Sequence, residues 1–215
     1  MAIKVNEIFF SIQGESTWAG EPCVFIRLTG CNLRCSYCDT TYAYDEGPFM
    51  DIEEIVDRIN GFECSLVEVT GGEPLLQDET PKLITTLLDL GYTVLIETNG
   101  SKDISTVDRR CIKIVDIKCP FSNEAKNNDL ENINRLRQGD ELKFVIADRT
   151  DYDYAVDILS RISDEILSLI HVHFSPCFGR IKPQDLAEWI LKDKLKVSLN
   201  LQLHKYIWPP DQRGV

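Results

Sequence analysis

The sequence predicts an α/β fold, an incomplete (β/α) barrel of about six parallel strands. Three observations lead there. Apolar, β-rich runs alternate with segments of helical periodicity, the pattern of consecutive βα units. The chain has 215 residues, fewer than the roughly 250 that a full eight-stranded barrel takes. The motifs rich in Gly, Cys, Asp and Asn stand where the apolar runs end, which is where such folds place their chemistry.

The elements follow in order. Residues 23–30, "CVFIRLTG", form a strand ending in glycine. Residues 50–59 read as a helix, with Ile52, Ile55, Val56 and Ile59 at helical spacing and Asp51 as N-cap. A strand over 65–72 turns at "TGG"; 79–91 is a helix closed by Gly91. Residues 92–100 are a strand running into "ETNG", and 111–120 a strand stopped by Pro120. A short helix near 129–137 precedes a strand over 141–147, a helix over 151–162, a strand over 169–176 and a helix over 182–193. Residues 196–206 read as extended or mixed. With no repeat or linker, the whole of 1–215 reads as a single domain.

Composition narrows the class. Hydrophobic residues make up 43% and charged residues 27%, an ordinary globular balance. The net charge of -12, with no Lys/Arg run, argues against nucleic acid as a partner. No apolar stretch approaches the ~18 residues of a membrane span, and "MAIKVNEIFF" is not a signal peptide. The expected compartment is the cytoplasm, where clustered cysteines point to metal or catalysis rather than to disulfides.

Three of the eight cysteines lie in "CNLRCSYC", as Cys31, Cys35 and Cys38. Thiolates hold zinc or iron–sulfur clusters. A zinc site would need a distant fourth ligand such as Cys23 or Cys64. Three thiolates on a four-iron cluster leave one iron open. The remaining cysteines read as small buried hydrophobes; Cys119 and Cys177, beside strand ends, are the ones placed to reach a pocket.

The Cys-x3-Cys-x2-Cys loop after the first barrel strand, with Tyr37 before its last cysteine, resembles the radical S-adenosylmethionine superfamily. "TGGEP", 70–74, resembles that superfamily's GGEP motif. The resemblance implies a 4Fe-4S cluster on Cys31, Cys35 and Cys38, with S-adenosylmethionine at the open iron. Gly72 and Glu73 would meet its amino group.

"FFSIQGES" (9–16), "CDTTYAY" (38–44) and "QLHKYIWPP" (202–210) narrow the likeness. They resemble the 7-carboxy-7-deazaguanine synthase family over about residues 6 to 210. The resemblance implies a radical ring contraction of 6-carboxy-5,6,7,8-tetrahydropterin with loss of ammonia, in queuosine biosynthesis. A 5′-deoxyadenosyl radical would take hydrogen from C6, and magnesium would be required. Segments at both ends of the domain would bind substrate.

Residue by residue, Ile12, Gln13, Gly14 and Glu15 would meet the pterin, whose edge needs both donors and acceptors. Arg27, a charge inside an apolar strand, would grip the substrate carboxylate. Thr70 and His204 complete the substrate set. Tyr37, Cys38 and Asp39, then Asp116, Ile117 and Lys118, and also Ser175, Pro176, Cys177 and Phe178, would contact S-adenosylmethionine. Glu97 and Asn99 are placed to reach its ribose. Thr40 would hold magnesium. The resemblance also implies a homodimer and an electron donor such as flavodoxin. Two other readings use the same cysteines: a glycyl-radical-enzyme activase, in which "FSIQGE" has no role, and a zinc-stabilised binding module.

Overall fold

The computed structural model describes residues 2–215. A single nine-stranded sheet runs through the molecule and curves without closing into a barrel. Its elements are β1 (Ala2–Ile12), β2 (Pro22–Leu28), β3 (Phe49–Asp51), α1 (Ile52–Asn60), β4 (Leu66–Gly71), α2 (Thr80–Asp89), β5 (Thr93–Thr98), β6 (Ile112–Ile117), α3 (Glu131–Arg135), β7 (Glu141–Ile146), α4 (Arg149–Ser160), α5 (Asp164–Leu169), β8 (His171–Pro176), α6 (Pro183–Asp193), β9 (Ser198–Leu199) and α7 (His204–Ile207). The strand order is β3-β1-β2-β4-β5-β6-β7-β8-β9. From β2 through β9 every neighbour is parallel.

The six predicted strands are all present, and the sheet extends beyond them at both edges. β1 pairs antiparallel with β2, from Val5 opposite Leu28 to Ile12 opposite Pro22, and β3 pairs antiparallel with β1. The sequence reading assigned no element to 1–12, although Ile3 and Val5 alternate with polar neighbours in the period of a strand. The segment 196–206 resolves into β9 and, beginning at His204, α7. α5 was not anticipated; Ser163 caps it, its side chain accepting from the Ile166 N–H.

Local chemistry sets the helix ends. Asp51 accepts from the Glu54 N–H and opens α1, whose Ile52, Ile55 and Ile59 are buried. Pro81 stands in the first turn of α2, and Gly91, at φ +91°, ends it. Asp148 caps α4, which begins at Arg149, two residues ahead of the predicted start.

The strand period of two sorts the side chains to the two faces of the sheet. Val24, Ile26, Val67, Val69, Val94 and Ile96 pack outward with α1 and α2 in one core. Val115, Ile117, Leu142, Phe144, Ile146 and Phe174 do the same with α4 and α6 in a second. On the inner face, Cys23, Phe25, Leu66, Leu95 and Ile114 form a small apolar floor. Above that floor the inward positions turn polar: Arg27 on β2, Glu68 and Thr70 on β4, Glu97 on β5, Asp116 on β6 and Lys143 on β7.

Candidate functional site

A cavity of about 270 Å³ opens at the C-terminal ends of β2 and β4–β8. β2 and β4–β7 deliver their last inward residues to it, and the loops that follow the strands, including Cys177 and Phe178 after β8, complete the wall.

The cysteine loop forms one side. Cys31, Cys35 and Cys38 all line the cavity, all are free thiols and all are half-buried. Backbone contacts hold the loop's shape: Cys38 N–H donates to Cys35 O at 3.1 Å and Ser36 N–H to Ser122 O at 3.1 Å. Gly72 lies directly against the loop. A Cβ there would sit 2.2 Å from Gly30 O and 2.7 Å from Cys31 Cβ, so only glycine lets β4 approach the loop so closely. Asn99 joins from β5, its amide reaching Cys31 Sγ at 3.8 Å and Asn32 Oδ1 at 3.3 Å. Among the described residues no three His, Cys, Asp or Glu side chains converge on a single metal ion. The three thiols instead face a shared volume. That arrangement fits ligands at the corners of a cluster, which is a body rather than a point.

Beside the cluster loop lie two orphaned polar atoms. Tyr37 Oη and Asp116 Oδ1 are buried without hydrogen-bond partners, and both residues line the cavity. The other oxygen of Asp116 pairs with Lys118 Nζ at 2.7 Å. A polar ligand beside the cysteine loop would satisfy both atoms.

The opposite side is a buried charge network. Lys143 Nζ lies 2.9 Å from Glu15 Oε2 and 3.8 Å from Asp116 Oδ2, and it also pairs with Glu97. Burial would push the Lys143 pKa down, but these carboxylates outweigh it and hold the lysine firmly protonated. Burial would raise Glu15; Lys143 overrides it and keeps Glu15 below the usual carboxylate range. The second oxygen of Glu15 accepts from Gln202 Nε2 at 3.0 Å, which ties the N-terminal loop to the segment before α7.

Gly14 explains another close approach. A Cβ on it would stand 2.2 Å from His204 Nδ1, and Leu203 N–H donates to Gly14 O at 2.9 Å. The imidazole therefore packs on the Gln13–Glu15 loop, and burial lowers its pKa.

At the mouth, Arg27 Nε bonds Glu7 Oε1 at 2.8 Å, and the same oxygen accepts from Tyr42 Oη at 3.0 Å. The two terminal nitrogens of Arg27 take no protein partner among the described residues, which leaves one edge of the fork for a carboxylate. Thr40 Oγ1 donates its proton to Asp39 Oδ1 at 2.9 Å, so its lone pairs are free to meet a cation. Burial raises the Asp39 carboxyl, but Lys205, 2.5 Å away, overrides that and holds it at about 2.

Most expected site residues meet at this one cavity: Ile12, Gln13, Gly14, Glu15, Arg27, Tyr37, Asp39, Thr40, Thr70, Gly72, Asp116, Lys118, Cys177, Phe178 and His204, with the three cysteines. Four do not line it. Glu73 is fully buried behind the wall, accepting from Leu75 N–H at 3.0 Å, Thr98 Oγ1 at 2.8 Å and Asn99 N–H at 2.7 Å. It braces β5 against the GGEP turn. Ile117 points outward into the helix-covered core. Ser175 is buried below the cavity, and Pro176 faces a separate shallow groove with Phe178 and Tyr206. Glu97 and Asn99, expected near a ribose, also line the cavity, and Glu97 pairs with Lys143 there. Cys177 lines the cavity whereas Cys119 is packed in the core. Sequence reading passed over Glu68 and Lys143. Their signal was the one that singled out Arg27, a charge at an alternate position of an apolar strand.

The sequence and fold have parallels among known proteins. Residues 25–118 match the model of the Radical SAM superfamily. The chain is 46% identical to 7-carboxy-7-deazaguanine synthase of Chlorobaculum tepidum, over 99% of this chain and 97% of that one. It is 42% identical to the enzyme of that name from Koribacter versatilis, over 99% and 100% of the two chains. The fold matches the crystal structure of QueE from Escherichia coli with a TM-score of 0.80, at 22% identity and covering 95% of each chain.

Proposed function

The chain belongs to the 7-carboxy-7-deazaguanine synthases of the radical S-adenosylmethionine superfamily, and from that premise we propose that its cavity converts 6-carboxy-5,6,7,8-tetrahydropterin to 7-carboxy-7-deazaguanine. Membership implies a 4Fe-4S cluster and S-adenosylmethionine, and it displaces the activase and zinc-module readings. One observation carries the proposal: the three-cysteine loop and the Gln13–Gly14–Glu15 loop with Arg27 and His204 line the same cavity. A ligand held by the second set would lie beside a ligand held by the first.

When bound, the cluster and S-adenosylmethionine supply the one-electron chemistry that starts a ring contraction with loss of ammonia. The chain's own part is binding and orientation. Cys31, Cys35 and Cys38 hold the cluster; Tyr37, Asp39, Gly72, Asp116 and Lys118 line the S-adenosylmethionine side. Glu15, ionised by Lys143, accepts from pterin N–H groups. Arg27 fixes the carboxylate and so the direction in which C6 faces. The test is product formation by anaerobically reconstituted protein given the carboxypterin, S-adenosylmethionine and a reductant. Release of ammonia with 7-carboxy-7-deazaguanine supports the proposal, and unchanged pterin rejects it.

The Arg27 role has its own test. Arg27→Lys keeps the charge but loses the fork, and Lys cannot bond Glu7 while also offering two N–H groups to a carboxylate. Pterin affinity is expected to fall about tenfold with an unchanged cluster spectrum. Equal affinity would make Arg27 only a partner for Glu7.

We include magnesium in the proposal: Thr40 would hold it, and the ion would supply positive charge beside the substrate carboxylate. Product formation is measured against magnesium concentration for the parent, Thr40→Ala and Thr40→Ser. The alanine variant is expected to turn over more slowly and with weaker magnesium dependence, and serine to retain much of the activity. Superimposable curves for parent and alanine would remove Thr40 from the site. The proposal extends to residues 1–215 acting as one domain with substrate-binding segments at both ends, to a homodimer, to an electron donor such as flavodoxin and to a cytoplasmic setting. Among the described residues no helix is long and apolar enough to cross a membrane.

A further inference from the structure

Glu68 belongs to the charge network by position but not by pairing. It is 3% exposed and stands on the inward face of β4 between Leu66 of the apolar floor and Thr70 at the rim. Lys143 pairs with Glu15, Glu97 and Asp116, yet no cation pairs with Glu68 among the described residues. Its one hydrogen bond is to an amide: Gln13 Nε2 donates to Glu68 Oε2.

The orientation of that amide is fixed independently. Glu15 N–H donates to Gln13 Oε1 at 3.1 Å, so the other end of the amide, the NH2, must face Glu68. Glu68 Oε2 is therefore an acceptor, whatever the protonation state. Its Oε1 has no protein partner among the described residues, and the residue lines the cavity. The groups around it decide what Oε1 carries. Glu97 stands on β5, Glu15 on the loop after β1, Lys143 on β7 and the Cys23 thiol on β2 below. Burial, then the charge of Glu97, push the Glu68 carboxyl well above the usual range, against Lys143 and Gln13, which pull it down.

We propose that Glu68 stands in the cavity as a neutral carboxylic acid whose Oε1–H donates to an acceptor on the 2-amino-4-oxopyrimidine edge of the bound pterin. This rests on the reading of the substrate given above. Such an edge presents donors and acceptors side by side. Ionised Glu15 suits the donors, and a neutral acid suits an acceptor without adding charge to a floor already crowded with carboxylates. Glu68 is then a specificity-determining residue, set to reject an edge with donors where the pterin has an oxo group.

Binding of 6-carboxy-5,6,7,8-tetrahydropterin to the cluster-loaded protein tests this in the parent, Glu68→Gln and Glu68→Leu. Glutamine keeps a neutral donor of the same shape, so its dissociation constant is expected within about threefold of the parent. Leucine loses the donor and is expected to bind about tenfold or more weakly. As pH rises through the raised Glu68 pKa, the parent's affinity should fall and that of Glu68→Gln should not. Cluster absorbance and pterin-independent cleavage of S-adenosylmethionine should match in all three. Glutamine binding as weakly as leucine would mean that an ionised Glu68 accepts, and leucine binding like the parent would mean no contact; either overturns the inference alone. If leucine fails to hold its cluster, the glutamine comparison and its pH profile decide. A parent that binds no pterin overturns the inference together with the reading beneath it.

Discussion

Replacing Cys35 with alanine is expected to leave a folded protein with no iron–sulfur cluster and no cleavage of S-adenosylmethionine. Cys31→Ala and Cys38→Ala should do the same, since each thiolate holds one corner of the cluster. The fold should survive because most of the loop's contacts are made by groups other than its thiols. Ser36 Oγ donates to Phe121 O at 2.6 Å, Arg34 N–H to Glu124 Oε1 at 2.8 Å, and Leu33 is buried beneath. Without iron, burial even raises the Cys35 thiol to about 11. Cys64→Ala and Cys111→Ala are the contrasting cases. Cys111 is sealed in the outer core and Cys64 bonds only backbone oxygens, so both variants should keep cluster and activity. Iron and sulfide content, with far-ultraviolet circular dichroism, reads all five proteins. A Cys35→Ala protein with a full cluster and full activity would overturn the assignment.

Lys143→Met is expected to cost about 3 kcal/mol of folding stability, because it removes the one buried cation shared by three carboxylates, of which Asp116 is buried and Glu15 and Glu97 are partly so. Methionine fills the space, but Glu15 and Glu97 lose their cation and repel one another, while Asp116 keeps Lys118. The carboxyl groups should take up protons to relieve this, so the variant should recover part of its loss as pH falls towards 5. Adding Glu97→Gln to Lys143→Met should also restore part of the loss, a coupling that isolates the pair. Denaturant unfolding of the single and double variants checks this. A single variant within 1 kcal/mol of the parent, or a double that is no better, would show that the lysine is not what holds the floor together.

The physics of one chain segment made much of the fold readable in its sequence. Apolar runs and helical spacing gave the six parallel strands and most helices, and three cysteines within eight residues marked the cluster loop. The misses share a cause. β1 and β3 gain their strand character from pairing with partners far along the chain, and no local pattern announces a partner. Contiguous blocks of residues misled for a related reason. In Asp116–Ile117–Lys118 only alternate side chains of the strand reach the cavity, so Ile117 faces the core. Glu73 belongs to a conspicuous motif, yet its carboxylate is consumed by Thr98 and Asn99 on the neighbouring strand. Glu68 and Lys143 were visible as charges in apolar strands. Their meaning depends on four elements meeting at one point, which only the folded sheet supplies.

The central claim is that one cavity holds S-adenosylmethionine at the cysteine loop and the carboxypterin on the Gln13–Glu15 and Arg27 side, close enough for hydrogen to pass from C6. Its most direct test is turnover of 6-carboxy-5,6,7,8-tetrahydropterin deuterated at C6 by the anaerobically reconstituted protein, with mass analysis of the 5′-deoxyadenosine. The account predicts deuterium in the recovered 5′-deoxyadenosine, together with 7-carboxy-7-deazaguanine and ammonia. Unlabelled 5′-deoxyadenosine alongside unchanged pterin would contradict it.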